Sequence, residues 1–204
     1  MGGEFINIYI IAILLLILYI YYESKSNDVS YVESVVDGHK YLVRNKLDKK
    51  EAADLLAKIK IRMIKLTDHL EQNKSKEDKV QRLVSNFRPD EISESTPDSK
   101  YTSYSVNKGE KIVFCLRSRD KNEDLVDENV LTFVALHELA HIMTKSVGHT
   151  KEFWDNFKYL LKIAIKIGIY SFQDFREEPV EYCGTQITDS PLKKSELMGN
   201  MMSE

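Results

Sequence analysis

The sequence predicts an α+β domain behind an N-terminal transmembrane helix, and three observations lead there. Residues 5–22 form an uncharged run that is apolar or aromatic except for Asn7. Residues 101–106 and 111–116 read as two strands around Asn107-Lys108-Gly109-Glu110, which is turn chemistry. Long helical patterns flank this hairpin, and one of them carries His137-Glu138-Leu139-Ala140-His141.

A membrane span needs about 20 apolar residues, with a usable range of roughly 17–25, so the N-terminal run is just long enough. No basic residue precedes it, and Tyr19-Ile20-Tyr21-Tyr22 is not a small-residue cleavage site, which argues against a signal peptide. Tyr9, Tyr19, Tyr21 and Tyr22 suit interfacial aromatic belts. Nothing on the run supplies the polar face of a surface helix. Lys25 and a more basic stretch follow it, which places the rest of the chain on the cytoplasmic side of a host or virion membrane. Glu23, Asp28, Glu33 and Asp37 dilute that bias. The Met-Gly-Gly start lacks the Ser or Thr at position six that myristoylation requires. The expected organisation is an anchor at 1–23, a polar tether at 24–40, the domain at 41–191 and a tail at 192–204.

Within the domain, Asp48 caps a helix that continues to about Gln72, with Leu56, Ile59, Met63, Leu66 and Leu70 as its apolar stripe. A shorter helix over 76–87 turns Val80, Leu83, Val84 and Phe87 inward and ends at Arg88-Pro89-Asp90. A polar loop containing Pro97 leads into the hairpin, and a charged loop over 117–128 leads out of it. Asp127 is the N-cap candidate for the helix over 128–146. Val147-Gly148 breaks that helix, and Thr150 caps another over 151–167 with Phe153, Phe157, Leu160, Leu161 and Ala164 on one face. Gly168 ends it. The remainder is mixed, and the chain holds no repeat or low-complexity segment.

The net charge of −3 conceals an asymmetry: residues 40–88 hold fourteen Lys and Arg against seven Asp and Glu. Such a region could face an anionic membrane or a nucleic acid, but the interspersed acids favour an ordinary solvated helix. Cys115 and Cys183 are too few for a disulfide framework and too far apart for a cysteine-type zinc site. They could pair once in an oxidising compartment or stay free in a reducing one.

The chemistry centres on His137 and His141. Four residues apart on a helix, their imidazoles share one face about one turn apart, so both can bind one Zn²⁺. Glu138 beside them can hold the metal-bound water and act as general base. His149 is the natural third ligand, because the chain must turn out of the motif helix at Gly148. Glu152, Asp155, Glu177, Glu178 and Glu181 are rival third ligands. The apolar neighbours Val134, Ala135, Leu136, Leu139, Ala140 and Ile142 describe a core helix, where three histidines and a glutamate would be costly without a metal. Tyr170 and Tyr182 are candidate donors to a developing oxyanion. Cys183 could approach the zinc as an inhibitory ligand. The strand over 111–116 could receive an extended peptide if it lies at a sheet edge, or it could be core sheet.

The motif followed by Gly148-His149-Thr150-Lys151-Glu152-Phe153-Trp154 resembles the WLM and SprT-like zinc metallopeptidases. The chain is most similar to WLM-like metallopeptidases of large DNA viruses and protists, with support from the stretches 103–112, Cys115-Leu116-Arg117 and 179–184. The resemblance covers about residues 85–190. It implies a minimal zincin fold, with His137, His141 and His149 as zinc ligands and Glu138 as base. Some members of the wider family cleave proteins crosslinked to DNA. Here seven residues separate His141 from His149, more than the usual WLM spacing, and a membrane span does not suit a freely nuclear repair protease.

The sequence therefore reads as a membrane-anchored, zinc-dependent endopeptidase acting on a protein or peptide. The rival readings are a membrane protein using zinc only for stability, a nucleic-acid-associated protease using the basic 40–88 region, and a hydrolase of non-peptide amides.

Overall fold

The apolar N-terminal run winds into helix α1 (Gly2–Ser26) in the computed structural model. The structure describes residues 2–26 and 28–196, with side chains placed for 8–23 within α1. All the side chains of that stretch are exposed.

The expected transmembrane helix over 5–22 needs correction. Among the described residues, no helix is long and apolar enough to cross a membrane. The single-pass topology and the cytoplasmic placement rested on that span and fall with it. The side chains of 1–7 and 24–27 and the tail residues 197–204 lie outside the described residues.

Sheet structure begins inside the stretch expected as a tether. Strand β1 (Val29–Glu33) pairs antiparallel with β2 (Lys40–Arg44), with Val29 opposite Arg44. In the turn between them, the Asp37 carboxylate accepts from the His39 amide and the Tyr41 hydroxyl.

Helix α2 (Lys49–Lys74) follows. Asp48 stands at its N-cap position, but its carboxylate accepts from Arg117 at 2.6 Å rather than from the helix amides. The expected stripe is in place, with Leu56, Ile59, Met63, Leu66 and Leu70 buried in the core. Helix α3 (Asp78–Asn86) buries Val80 and Leu83.

Strand β3 (Ile92–Glu94) then joins the sheet parallel to β2. The expected hairpin forms as β4 (Tyr104–Val106) and β5 (Lys111–Phe114). Its turn uses positive φ at Asn107, Lys108 and Gly109. At Gly109 a Cβ would meet the Asn86 carbonyl oxygen at 2.7 Å, so only glycine fits there.

The sheet order is β1-β2-β3-β5-β4, with β2, β3 and β5 parallel. β5 is therefore an interior strand, the core-sheet outcome for residues 111–116, and β4 is the edge beside the hairpin turn. Helix α4 (Glu128–Met143) packs on α2, α3, α5 (Lys151–Lys166) and β4. It is buried over most of its circumference, which explains its nearly continuous apolar sequence.

The chain finishes with a separate two-stranded sheet, β6 (Val180–Tyr182) and β7 (Thr185–Ile187). A disulfide joins Cys115, just past β5, to Cys183 in the turn of this hairpin. Leu192 is fully buried, so the packed structure continues into the stretch expected as a tail.

Much of the positive charge of residues 40–88 is paired inside the domain. Lys60 meets Asp90 at 2.7 Å, Lys58 and Arg62 meet Glu128, and Arg44 and Lys46 meet Glu123.

Candidate metal centre

Helix α4 starts where the Asp127 carboxylate accepts the Asn129 and Val130 amides at 2.8 and 3.0 Å. It ends at Thr144, which turns extended while its hydroxyl donates to the Ala140 carbonyl at 2.7 Å. Arg82 donates to the Met143 carbonyl, and Lys108 to those of Thr144, Lys145 and Ser146. These cations satisfy carbonyls that a helix end leaves without partners. The Glu152 carboxylate then accepts the Lys145 and Ser146 amides and the Ser146 hydroxyl. Gly148, at φ 82°, reverses the chain, and His149 swings back over α4.

Three ring nitrogens converge there. His137 Nε2 lies 3.1 Å from His141 Nε2 and 3.1 Å from His149 Nε2, and the last pair are 3.2 Å apart. Ligands of a tetrahedral zinc at about 2.0–2.1 Å stand roughly 3.3 Å from one another. The three donors thus fit a single metal ion, and three lone pairs aimed at one point repel unless a cation holds them.

Burial pushes His137 down to about 3 and His141 down to about 4, with neighbouring imidazoles adding to the effect. Both rings therefore stay neutral, the form that binds metal. Phe153 stacks on His141 with ring centroids 4.3 Å apart and meets His137 edge-on at 4.8 Å. These contacts fix the ring planes.

Glu138 faces the same cavity of about 680 Å³ and is only 4% exposed. Burial raises its carboxyl to about 7, opposed by the nearby Ser105 amide of β4. Phe133, Val134, Trp154, Phe157 and Ile187 give the cavity an apolar side, and Ser103, Ser105 and Thr185 a polar one.

A family model described as the WLM domain matches residues 40–201. The chain belongs to the WLM domain family. A similar protein is an uncharacterized protein of Acanthamoeba polyphaga mimivirus, 39% identical over 188 residues, which cover 90% of this chain and 94% of that one. Uncharacterized proteins of Invertebrate iridescent virus 6 and Invertebrate iridescent virus 3 match shorter stretches. They are 38% identical over 69 residues and 40% over 68, each a third of this chain and 38% and 42% of theirs. These relatives agree with the resemblance to WLM-like proteins of large DNA viruses. No solved structure matches.

In this WLM domain the three histidines are the one group of possible ligands, among the described residues, that could hold a metal ion. The rival carboxylates lie elsewhere or are engaged: Glu152 fastens the loop, and Asp155 pairs with Lys151 at 2.6 Å. Glu177, Glu178 and Glu181 are not in that group. Tyr170 does not line the cavity, and its ring packs toward Phe133. Tyr182 does line it, but its hydroxyl donates to the Cys115 carbonyl at 2.9 Å and meets Ser103 Oγ at 2.6 Å. Cys183 is held in the disulfide, which removes it as an inhibitory ligand. Sequence reasoning missed the Ser105 amide and Lys108. A backbone amide carries no side-chain signature, and Lys108 reads only as turn chemistry.

Proposed function

We propose that this WLM domain is a zinc-dependent endopeptidase, with His137, His141 and His149 as ligands and Glu138 as general base. One observation carries the reading: three imidazole nitrogens within 3.2 Å of one another share a cavity with the very next residue after the first of them, a buried glutamate. Zinc bound by three protein ligands supplies an activated water and polarises a carbonyl.

The chain's own residues do the rest. Glu138 takes the proton of the attacking water and returns it to the leaving amine. The Ser105 amide orients its carboxylate. The edge strand β4 offers backbone groups along which an extended peptide can lie, and the apolar side of the cavity receives one of its side chains. A glutamate base in this position distinguishes hydrolysis from a metal kept for stability alone.

The test compares wild type with Glu138→Gln on an unstructured protein substrate, with zinc measured in both. Both proteins should bind about one zinc per chain, and only wild type should cleave. Equal cleavage by the two would remove Glu138 from the base role, and a folded wild type without zinc would remove the proposal.

A further inference from the structure

The β6–β7 hairpin forms one wall of the cavity, through Tyr182, Thr185 and Ile187, yet among the described residues no ladder joins it to the main sheet. A two-stranded hairpin alone is marginally stable in water, so its attachments decide where it sits. Those attachments concentrate at one point. The Cys115 amide donates to Ser103 Oγ at 3.1 Å, Ser103 Oγ meets Tyr182 Oη at 2.6 Å, and Tyr182 Oη donates to the Cys115 carbonyl at 2.9 Å. The Cys115–Cys183 bond ties the same residues covalently. Beneath them, the chain runs from Ser103 into β4, where Ser105 faces Glu138 across the cavity they both line. Cys183 occupies the left-handed region at φ 52°, a conformation that a residue with a Cβ resists and that the bond helps to hold.

We propose that the Cys115–Cys183 disulfide is a thiol-responsive clamp on this wall. Bonded, it presses β6–β7 against β4 and β5; reduced, it frees the hairpin and weakens substrate binding. The second effect rests on reading the cavity as the peptide site. Cys115 borders a second cleft, lined also by Ser95, Pro97, Arg117 and Arg119, through which a small thiol can arrive. Its thiolate attacks the Cys115 sulfur, and the S–S bond breaks. Cys183 leaves as a thiolate and takes a proton. A second small thiol resolves the mixed disulfide, so two electrons pass from two thiols, oxidised to their own disulfide, to the protein.

The experiment equilibrates the full-length, zinc-loaded chain in oxidising and reducing glutathione couples. Thiols are counted by alkylation and mass, and amide exchange is compared between 180–187 and 128–143. The oxidised protein should show no free thiol. On reduction, exchange in 180–187 should accelerate by about tenfold or more while 128–143 stays protected. KM should rise with kcat nearly kept, and Cys183→Ser should behave like the reduced protein in both couples. Two free thiols under oxidising conditions, unchanged exchange in 180–187, or equal acceleration in 128–143 would each overturn the clamp. Absence of peptidase activity alongside a released hairpin would instead count against the proposed function, because alkylation and exchange need no turnover.

Discussion

The Lys108 ammonium lies 2.6 Å from the Thr144 carbonyl oxygen, joining the β4–β5 turn to the end of the motif helix. The carbonyls of Lys145 and Ser146 lie within 2.9 and 2.8 Å of the same nitrogen. One cation thus pins the start of the loop that carries His149. Lys108→Met keeps the aliphatic stem and removes the donors. Partners that orient metal ligands change metal affinity by about 10–100-fold, and a loss of that size is expected here. A chelator competition titration measures it; an unchanged dissociation constant would assign the loop's position to Glu152 alone.

His149→Ala should abolish tight zinc binding, while Glu152→Gln should retain it. The first removes one of three converging nitrogens, and the second only alters a loop fastening. Zinc content after gel filtration separates the two. The reverse order would make Glu152 the third ligand.

Phe153 is fully buried and touches the rings of His137, His141 and His149. Phe153→Ala should cost about 3–5 kcal/mol of stability through lost burial and the cavity left behind. Urea unfolding of the zinc-free protein isolates this packing effect from metal binding. A loss under about 1 kcal/mol would mean that the neighbouring rings collapse into the space.

Arg117 and Glu94 form a buried pair at 2.9 Å, with side chains 3% and 1% exposed. Arg117→Met should destabilise by about 3–5 kcal/mol, because Glu94 is left as an uncompensated buried charge. The pH dependence has a definite sign. Burial raises the Glu94 carboxyl above its ordinary value of 4.5, so its contribution is full below that value and is lost as pH rises through its folded pKa. The hydrogen bond from Arg117 lowers Asp48 below 3.8, so its contribution is present above that value and is lost as pH falls through its folded pKa. Without Arg117 the Glu94 penalty grows, and the variant's deficit should be larger near pH 8 than near pH 5. Adding Glu94→Gln should recover most of it. Equal deficits at the two pH values would exclude Glu94 ionisation as the cause.

Helices α2, α4 and α5 were legible because each has a length and an apolar pattern that only a helix accommodates. The β4–β5 turn was legible because Asn107-Lys108-Gly109 tolerates positive φ. Strand β3 was not: Ser93 and Glu94 look like loop residues, and they are buried because Arg117 and the Arg44 amide satisfy Glu94 from a distance. The Asp48 cap was misjudged for the same reason, since Arg117 lies 69 residues away in sequence. The N-terminal run was read as a span from its apolar length, and among the described residues no helix is long and apolar enough to cross a membrane. At the site, the three histidines and Glu138 announced themselves through spacing. The hydrogen-bonding state of Tyr182 did not, because its partners, Ser103 and Cys115, lie 79 and 67 residues away in sequence.

The cavity draws its walls from segments between Thr102 and Asp189. During synthesis the three histidines emerge from the ribosome well before the hairpin that completes the enclosure. The three rings can therefore stand in the growing chain before the cavity around them has its last wall.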